Sequence, residues 1–260
     1  MKIPYFEIAA FTNRPFGGNP AGVCFLEEWL PDAQLQALAA ENNLPETAFV
    51  IPRGNRFDLR WMTPSVEVDL CGHATLAAAH VLFYHRAFAA SIIRFQSNSG
   101  ELTVQRDGKR LALDFPSLPA GAVNRGDELA DALGATPSEI LKGRDYIAIF
   151  ASQEEVAEII PDMQRVAKLD AQGTVVTAPG NDCDFVSRYF APAAGIPEDP
   201  VTGSTHCTLI PYWSQRLGKK ELFARQISPR GGELYCRDRG ERVSIGGTAV
   251  TYVEGTIQLD

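Results

Sequence analysis

Two short stretches of this chain carry residue types suited to holding a small acid. EVDLCGHAT occupies residues 67–75 and EDPVTGSTH occupies residues 198–206. Each runs from Glu through three residues to Cys or Thr, then Gly, then a polar residue, and each leads into an apolar helical segment. A small polar-Gly turn that opens a helix favours anions, because the first backbone N–H groups have no partner within the helix and the positive end of its dipole lies there. The two stretches stand half a chain length apart in a sequence of 260 residues. That spacing predicts a pseudo-symmetric protein with a small acid held between two helix N-termini.

The residues able to move protons lie in and near these turns. Glu46 precedes an apolar run, TAFVI at 47–51. The plain reading is a solvated carboxylate at a strand mouth; in a closed site, desolvation would raise its pKa and suit it to shuttling a proton. His73 follows Gly72 at the start of an apolar helix. It is either a histidine satisfied at the helix entrance or a proton donor, and the helix dipole predicts a neutral ring. Asp199, before Pro200, is either turn chemistry or a carboxylate that holds a substrate amine or steers a neighbouring acid. Ser204 offers a hydroxyl and a backbone N–H to a substrate carboxylate. His80 and His85 read as packed or solvated, and His206 as a weaker candidate. No set of His, Cys and carboxylates has metal-ligand spacing, so no metal and no cofactor are expected. Cys71 and Thr202 are equivalent in the repeat. A two-thiol racemase would need cysteine at both places, and a threonine hydroxyl is far too weak an acid to replace one.

The elements that must position these residues are mostly strands. Strands are expected at 3–10, 23–26, 46–51, 57–62, 92–97, 100–106 and 110–115, with 16–22 as a glycine-rich turn. Helices are expected at about 32–43 and, almost wholly apolar and therefore central, at 73–85. Residues 116–126, rich in Pro, Gly and Ala, read as a linker. Beyond it come helical stretches near 127–134 and 137–142, a strand at 145–151, a helix near 162–169, and strands at 173–178 and 183–190. A second apolar helix follows at 204–217, then strands at 223–228, 232–238 and 241–247 and a closing strand pair near 248–258. Gly17 to Gly22 lacks the strand–helix context of a dinucleotide site. The pattern predicts an α+β protein of two strand-rich lobes, each wrapping its own helix.

A net charge of −8 disfavours nucleic acid and anionic membranes as partners. No apolar run is long enough for a membrane span, and the N-terminus reads as a strand and not as a signal peptide. Five scattered cysteines without CxxC spacing predict reduced thiols and a cytoplasmic location.

The motifs together resemble the PhzF-like family, named for the phenazine-biosynthesis isomerase, which shares its fold with diaminopimelate epimerase. AFTNRPFGGNPAGV at 10–23, ETAF at 46–49, Thr63-Pro64 with the 67–75 stretch, EDPVTGS at 198–204 and IGGTAV at 245–250 carry the resemblance. It implies two pseudo-symmetric half-barrel lobes, each around a central helix: residues 1–116 completed by 248–260, and residues 117–247. The active site would lie in the cleft between them. It also implies a homodimer and cofactor-free proton transfer on a small carboxylic acid. In the phenazine enzyme the substrate is trans-2,3-dihydro-3-hydroxyanthranilate. The proton-moving glutamate maps onto Glu46. His73, Asp199 and Ser204 map onto residues around the substrate, with Gly72 and Gly203 supplying N–H groups. Pro45 stands where family members commonly carry Ser, removing a hydroxyl beside Glu46. A non-catalytic acid-binding or partner-binding protein and a two-base epimerase using Asp199 opposite Glu46 are the rival expectations.

Overall fold

Buried and exposed positions vary along the first strand, β1 (Lys2–Ala10), and its last three residues are all buried. The computed structural model describes residues 1–123 and 127–259. Two units emerge, one of Met1–Phe115 with Gly246–Asp260 and the other of Pro116–Ile245.

In the first unit β1 is followed by β2 (Asn19–Phe25), α1 (Asp32–Asn42), β3 (Glu46–Arg53), β4 (Arg56–Met62), β5 (Glu67–Val68), α2 (Gly72–Tyr84), β6 (Ile92–Ser97), β7 (Gly100–Asp107) and β8 (Arg110–Pro116). β1 runs antiparallel to β2. β2 is parallel to β3, β3 antiparallel to β4, β4 parallel to β6, and β6–β7–β8 is an antiparallel meander. Each parallel step is bridged by a helix, α1 or α2, as parallel pairing requires a long crossover. All residues of α2 are buried except His80 and Tyr84, so its apolar surround is met by strands, including β1, β2 and β3.

The glycine-rich turn is shorter than the sequence predicts. β2 begins at Asn19, not Val23, because Asn19 to Gly22 pair with Ala10 to Glu7 of β1. The reversal is packed into the residues before it, where Phe11, Phe16 and Gly18 adopt positive φ. A Cβ on Gly18 would stand 2.1 Å from the Ala10 carbonyl oxygen, so only glycine fits.

The second unit contains β9 (Gly121–Ala122), α3 (Asp127–Leu133), β10 (Glu139–Lys142), β11 (Tyr146–Ile149), α4 (Gln153–Glu158), α5 (Met163–Val166), β12 (Thr174–Pro179), β13 (Phe185–Phe190), α6 (Gly203–Leu217), β14 (Glu221–Gln226), β15 (Gly232–Asp238) and β16 (Arg242–Gly247). β11 is parallel to β12, β12 antiparallel to β13, β13 parallel to β14, and β14 antiparallel to β15. This is the alternation of β2, β3, β4, β6 and β7, again with helices in the parallel crossovers. The fold is the expected α+β architecture, with the same strand-helix pattern used twice.

Three expectations change. Residues 137–142 hold strand β10, not a helix, because Glu139–Lys142 pair with β9 and β11; a segment with only Ile140 and Leu141 apolar is too short to separate helix from strand by periodicity. The expected linker contains β9, while its residues 124–126 lie outside the described residues. The closing strand pair is one strand, β17 (Ala249–Gln258), antiparallel to β1. Among the described residues, no helix is long and apolar enough to cross a membrane.

Leu76 of α2 is fully buried. Leu76→Ala should lower the unfolding free energy by about 2–5 kcal/mol through lost transfer energy and a residual cavity, read as a reduced urea midpoint at unchanged slope.

Candidate active site

Glu46 is placed by the crossover that precedes it. α1 ends in a left-handed residue, Asn43, and three residues later β3 opens with Glu46 opposite Ala21 of β2. α2 begins after an extended Cys71 that provides no side-chain cap. The buried His73 thereby faces Glu46, with its Nε2 3.1 Å from the Glu46 Oε2. Both atoms are inaccessible, and they meet without the alignment of a hydrogen bond. On the other side of the ring, Nδ1 is 3.3 Å from Asn19 Nδ2 and 3.5 Å from Cys71 Sγ. The Asn19 amide can serve either ring state, since Nδ2 donates to a bare Nδ1 and, turned over, Oδ1 accepts from an Nδ1–H.

These neighbours overturn the expected neutral ring. Burial acts against a charged His73, but the Cys71 sulfur and the Glu46 carboxylate act for it, and His73 is held well above the ordinary imidazole range. Burial, then Glu46, pushes the Cys71 thiol up. Glu46 is the carboxylate partner of the His73 ring. The helix dipole, which alone favours a neutral ring, is outweighed by a carboxylate in contact.

The second turn is built differently. α6 begins after an extended Thr202, which like Cys71 provides no side-chain cap. Thr202 Oγ1 donates a short 2.5 Å hydrogen bond to the buried Asp199. Gln226, buried on β14, accepts from the Thr202 N–H at 2.8 Å and donates to the Asp199 carbonyl and to Thr202 Oγ1. Gly203 and the half-buried Ser204 are the first two residues of α6. His206 is structural: its Nδ1 lies 2.8 Å from the Thr202 carbonyl, and burial pulls its pKa down to about 4. His80 and His85 both meet Thr251 of β17, at 3.0 and 2.8 Å.

The leading Glu of each repeated stretch has one shared job. Glu67 receives a bidentate clamp from Arg60 Nε and Nη2, at 2.7 Å each. Glu198 receives the same clamp from Arg188 Nε and Nη2, at 2.8 and 3.0 Å. Arg60 stands two residues before Met62, which pairs with Thr47; Arg188 stands two before Phe190, which pairs with Thr174. The clamps therefore occupy equivalent positions and fasten each turn to the strand before it. The same register aligns Glu46, before Thr47, with Gly173, before Thr174. In the second unit that place holds no carboxylate; a Cβ there would meet the Tyr189 ring at 2.4 Å.

Of the residues singled out in the sequence, the fold joins Glu46, Gly72 and His73 in one group and Asp199, Gly203 and Ser204 in another. Asn19 and Gln226 were not foreseen. Asn19 lay inside a glycine-rich stretch read as a turn, and Gln226 carries no motif. Sequence spacing offered no metal-ligand set, yet Glu46, Cys71 and His73 present donor atoms within 4.8 Å of one another.

The family model described as phenazine biosynthesis-like protein, PhzC-PhzF, matches residues 8–255. The chain is 51% identical over 260 residues, spanning all of both chains, to a Pseudomonas aeruginosa protein named an uncharacterized isomerase. It is similar to the crystal structure of a phenazine biosynthesis protein of the PhzF family from Enterococcus faecalis, with 46% identity, full coverage of both chains and a TM-score of 0.98. A probable proline racemase from Agrobacterium radiobacter K84 shares the fold at 9% identity and a TM-score of 0.65, over 99% of this chain and 93% of that one.

Two outcomes follow from the geometry. In Glu46→Gln the carboxylate that sustains the His73 charge is gone while burial remains, so the His73 pKa should fall, as followed by 15N chemical shifts across a pH titration. In the native protein the stabilisation from the charged ring is complete below about pH 6.5, the ordinary imidazole value, and is lost as pH rises through the raised value. Gln226→Leu strands a buried N–H and a buried carbonyl, and should cost about 3 kcal/mol in urea unfolding.

Proposed function

Because this chain belongs to the phenazine biosynthesis-like PhzC-PhzF family, we propose that it is an isomerase that moves a proton on a small amino or cyclic carboxylic acid without a cofactor. The observation that carries the reading is the buried contact between Glu46 Oε2 and His73 Nε2, neither of which has a well-formed hydrogen bond. Several relatives of this chain bear isomerase names, which supports the reaction class.

Glu46 is the base. The His73 ring, in contact with its carboxylate, balances the charge that appears when substrate is deprotonated. Gly72 at the opening of α2 supplies an N–H group to the substrate carboxylate and to the charge that develops there. Glu46 then returns the proton to a second carbon on the face from which it came. Same-face return is supported by the register: Gly173 stands in the place of Glu46 and Thr202 in the place of Cys71, so the second unit repeats neither group.

The test is deuterium uptake from D2O into trans-2,3-dihydro-3-hydroxyanthranilate and a panel of amino and cyclohexadienyl acids, followed by mass spectrometry. Wild type should label and isomerise at least one of them. Glu46→Gln should lower that rate by at least about 10²–10⁴-fold, the usual contribution of a general acid–base group, with unchanged circular dichroism. Wild-type rates in Glu46→Gln would refute the mechanism, and inversion of a stereocentre would replace it with two-base chemistry.

A further inference from the structure

The closing strand meets α2 through four polar side chains that proton transfer at Glu46 does not use. β17 pairs Glu254 with Phe6 and Thr251 with Ile8, and the register shifts between Glu7 and Ile8, where Tyr252 is the extra residue. Residues three apart on a regular strand point to opposite faces. The bulge at Tyr252 resets that alternation, so Thr251 and Glu254 share the face of the buried Phe6 and Ile8. α2 and its C-cap residue bring His80 and His85 to the same place. Thr251 Oγ1 lies 3.0 Å from His80 Nε2 and 2.8 Å from His85 Nε2. His85 Nδ1 lies 3.2 Å from Glu254 Oε2, and the His85 ring packs on Phe6 with centroids 4.9 Å apart.

We propose that Glu254, His85, Thr251 and His80 form a proton-sensitive clasp between α2 and β17, shut while the two rings share at most one added proton and released by a second. The clasp does not depend on the reaction proposed for Glu46.

The number of hydrogens dictates the behaviour. A hydroxyl has one proton to give, so Thr251 donates to one imidazole and must accept from the other. The Glu254 carboxylate only accepts, which places the hydrogen of a neutral His85 on Nδ1. The bare Nε2 of His85 then accepts from Thr251, and Thr251 accepts from the Nε2–H of His80. When His85 takes a proton, its Nε2 becomes a donor. The hydroxyl turns to His80, whose hydrogen moves to Nδ1, and every contact is kept. A proton on His80 as well leaves two N–H groups facing one oxygen, and two cations with ring centroids 6.0 Å apart. Burial, then His85, accordingly pulls the His80 pKa down to about 4. Tyr84 adjoins His80, with centroids 4.8 Å apart. Arg86 lies over the Phe25 ring and Arg106 of β7 over Phe83. Tyr5 and Glu7 of β1 alternate to the face opposite Phe6 and Ile8. Neutral His80 thus favours the shut clasp above about pH 6.5, the ordinary imidazole value, and that contribution is lost as pH falls towards 4.

Long-range 1H–15N spectra of the histidine rings across a pH titration test the clasp. His85 should begin as the Nδ1–H tautomer and His80 as Nε2–H, and His80 should change to Nδ1–H as His85 becomes charged. Thr251→Val removes the shared hydroxyl and should abolish that change. Hydrogen exchange read by mass spectrometry, corrected for the pH dependence of intrinsic rates, should show opening of β17 rising about tenfold per pH unit as pH falls from about 6.5 to about 4. His80→Gln keeps an N–H within reach of Thr251 and takes no proton, so its β17 should stay protected over that range. A His80 ring that keeps Nε2–H while His85 becomes charged overturns the proposal, as does a tautomer change that survives in Thr251→Val. The same acid opening in His80→Gln, or a loss of protection shared equally by β3, also overturns it. The tautomer measurement needs only wild-type protein, so it decides even where a variant fails to fold.

Discussion

A helix buried on every side has to begin inside the protein, and this constraint organises the first unit. α2 is enclosed by strands along nearly its whole length, so its opening turn lies among buried groups and not in water. Its leading backbone N–H groups and the dipole behind them are thereby concentrated at one interior point. Cys71 gives that turn no side-chain cap, and His73 points from it to Glu46. An isolated carboxylate or imidazolium would be costly at such depth. Held together, each lowers the cost of burying the other, and the two atoms touch without a finished hydrogen bond.

The duplicated architecture sharpens the point by where it fails to repeat. The arginine–glutamate clamps are the same down to the nitrogen atoms used, so the framework of the turn is kept in both units. The residues that the framework presents have diverged. One unit presents a carboxylate, a thiol and an imidazole; at the matching positions the other has Gly173, Thr202 and Ser204. The first turn brings a carboxylate, a thiol and an imidazole together, and in the second Gln226 ties Asp199 to Thr202.

Much of this was legible in the sequence. The apolar residues of α2 announce a central helix, and the paired EVDLCGHAT and EDPVTGSTH stretches announce the turns. Glu46 and His73 were singled out before their contact was visible. What stayed hidden depends on pairing across the chain. The ionisation of His73 is set by Glu46, 27 positions earlier in sequence, so a local argument from the helix dipole gave the wrong sign. β10 reads as helix until β9 and β11 are placed beside it. α4 carried a readable start signal, Ser152 followed by Glu155, whose backbone N–H bonds to the Ser152 hydroxyl, and that signal went unused. Asn19 shows the same limit: its role appears only when β2 is registered against β1.

The last strand has a consequence for how the chain comes to be folded. β17 lies along the whole of β1, from Lys2 opposite Gln258 to Ala10 opposite Ala249. β1 is thus paired on that side by a strand that lies far along the chain. Until β17 is in place, the first unit lacks a strand and β1 keeps an open edge, the kind of surface that recruits foreign strands. Such distant closure slows folding. The second unit, continuous from Pro116 to Ile245, needs no such distant segment to close.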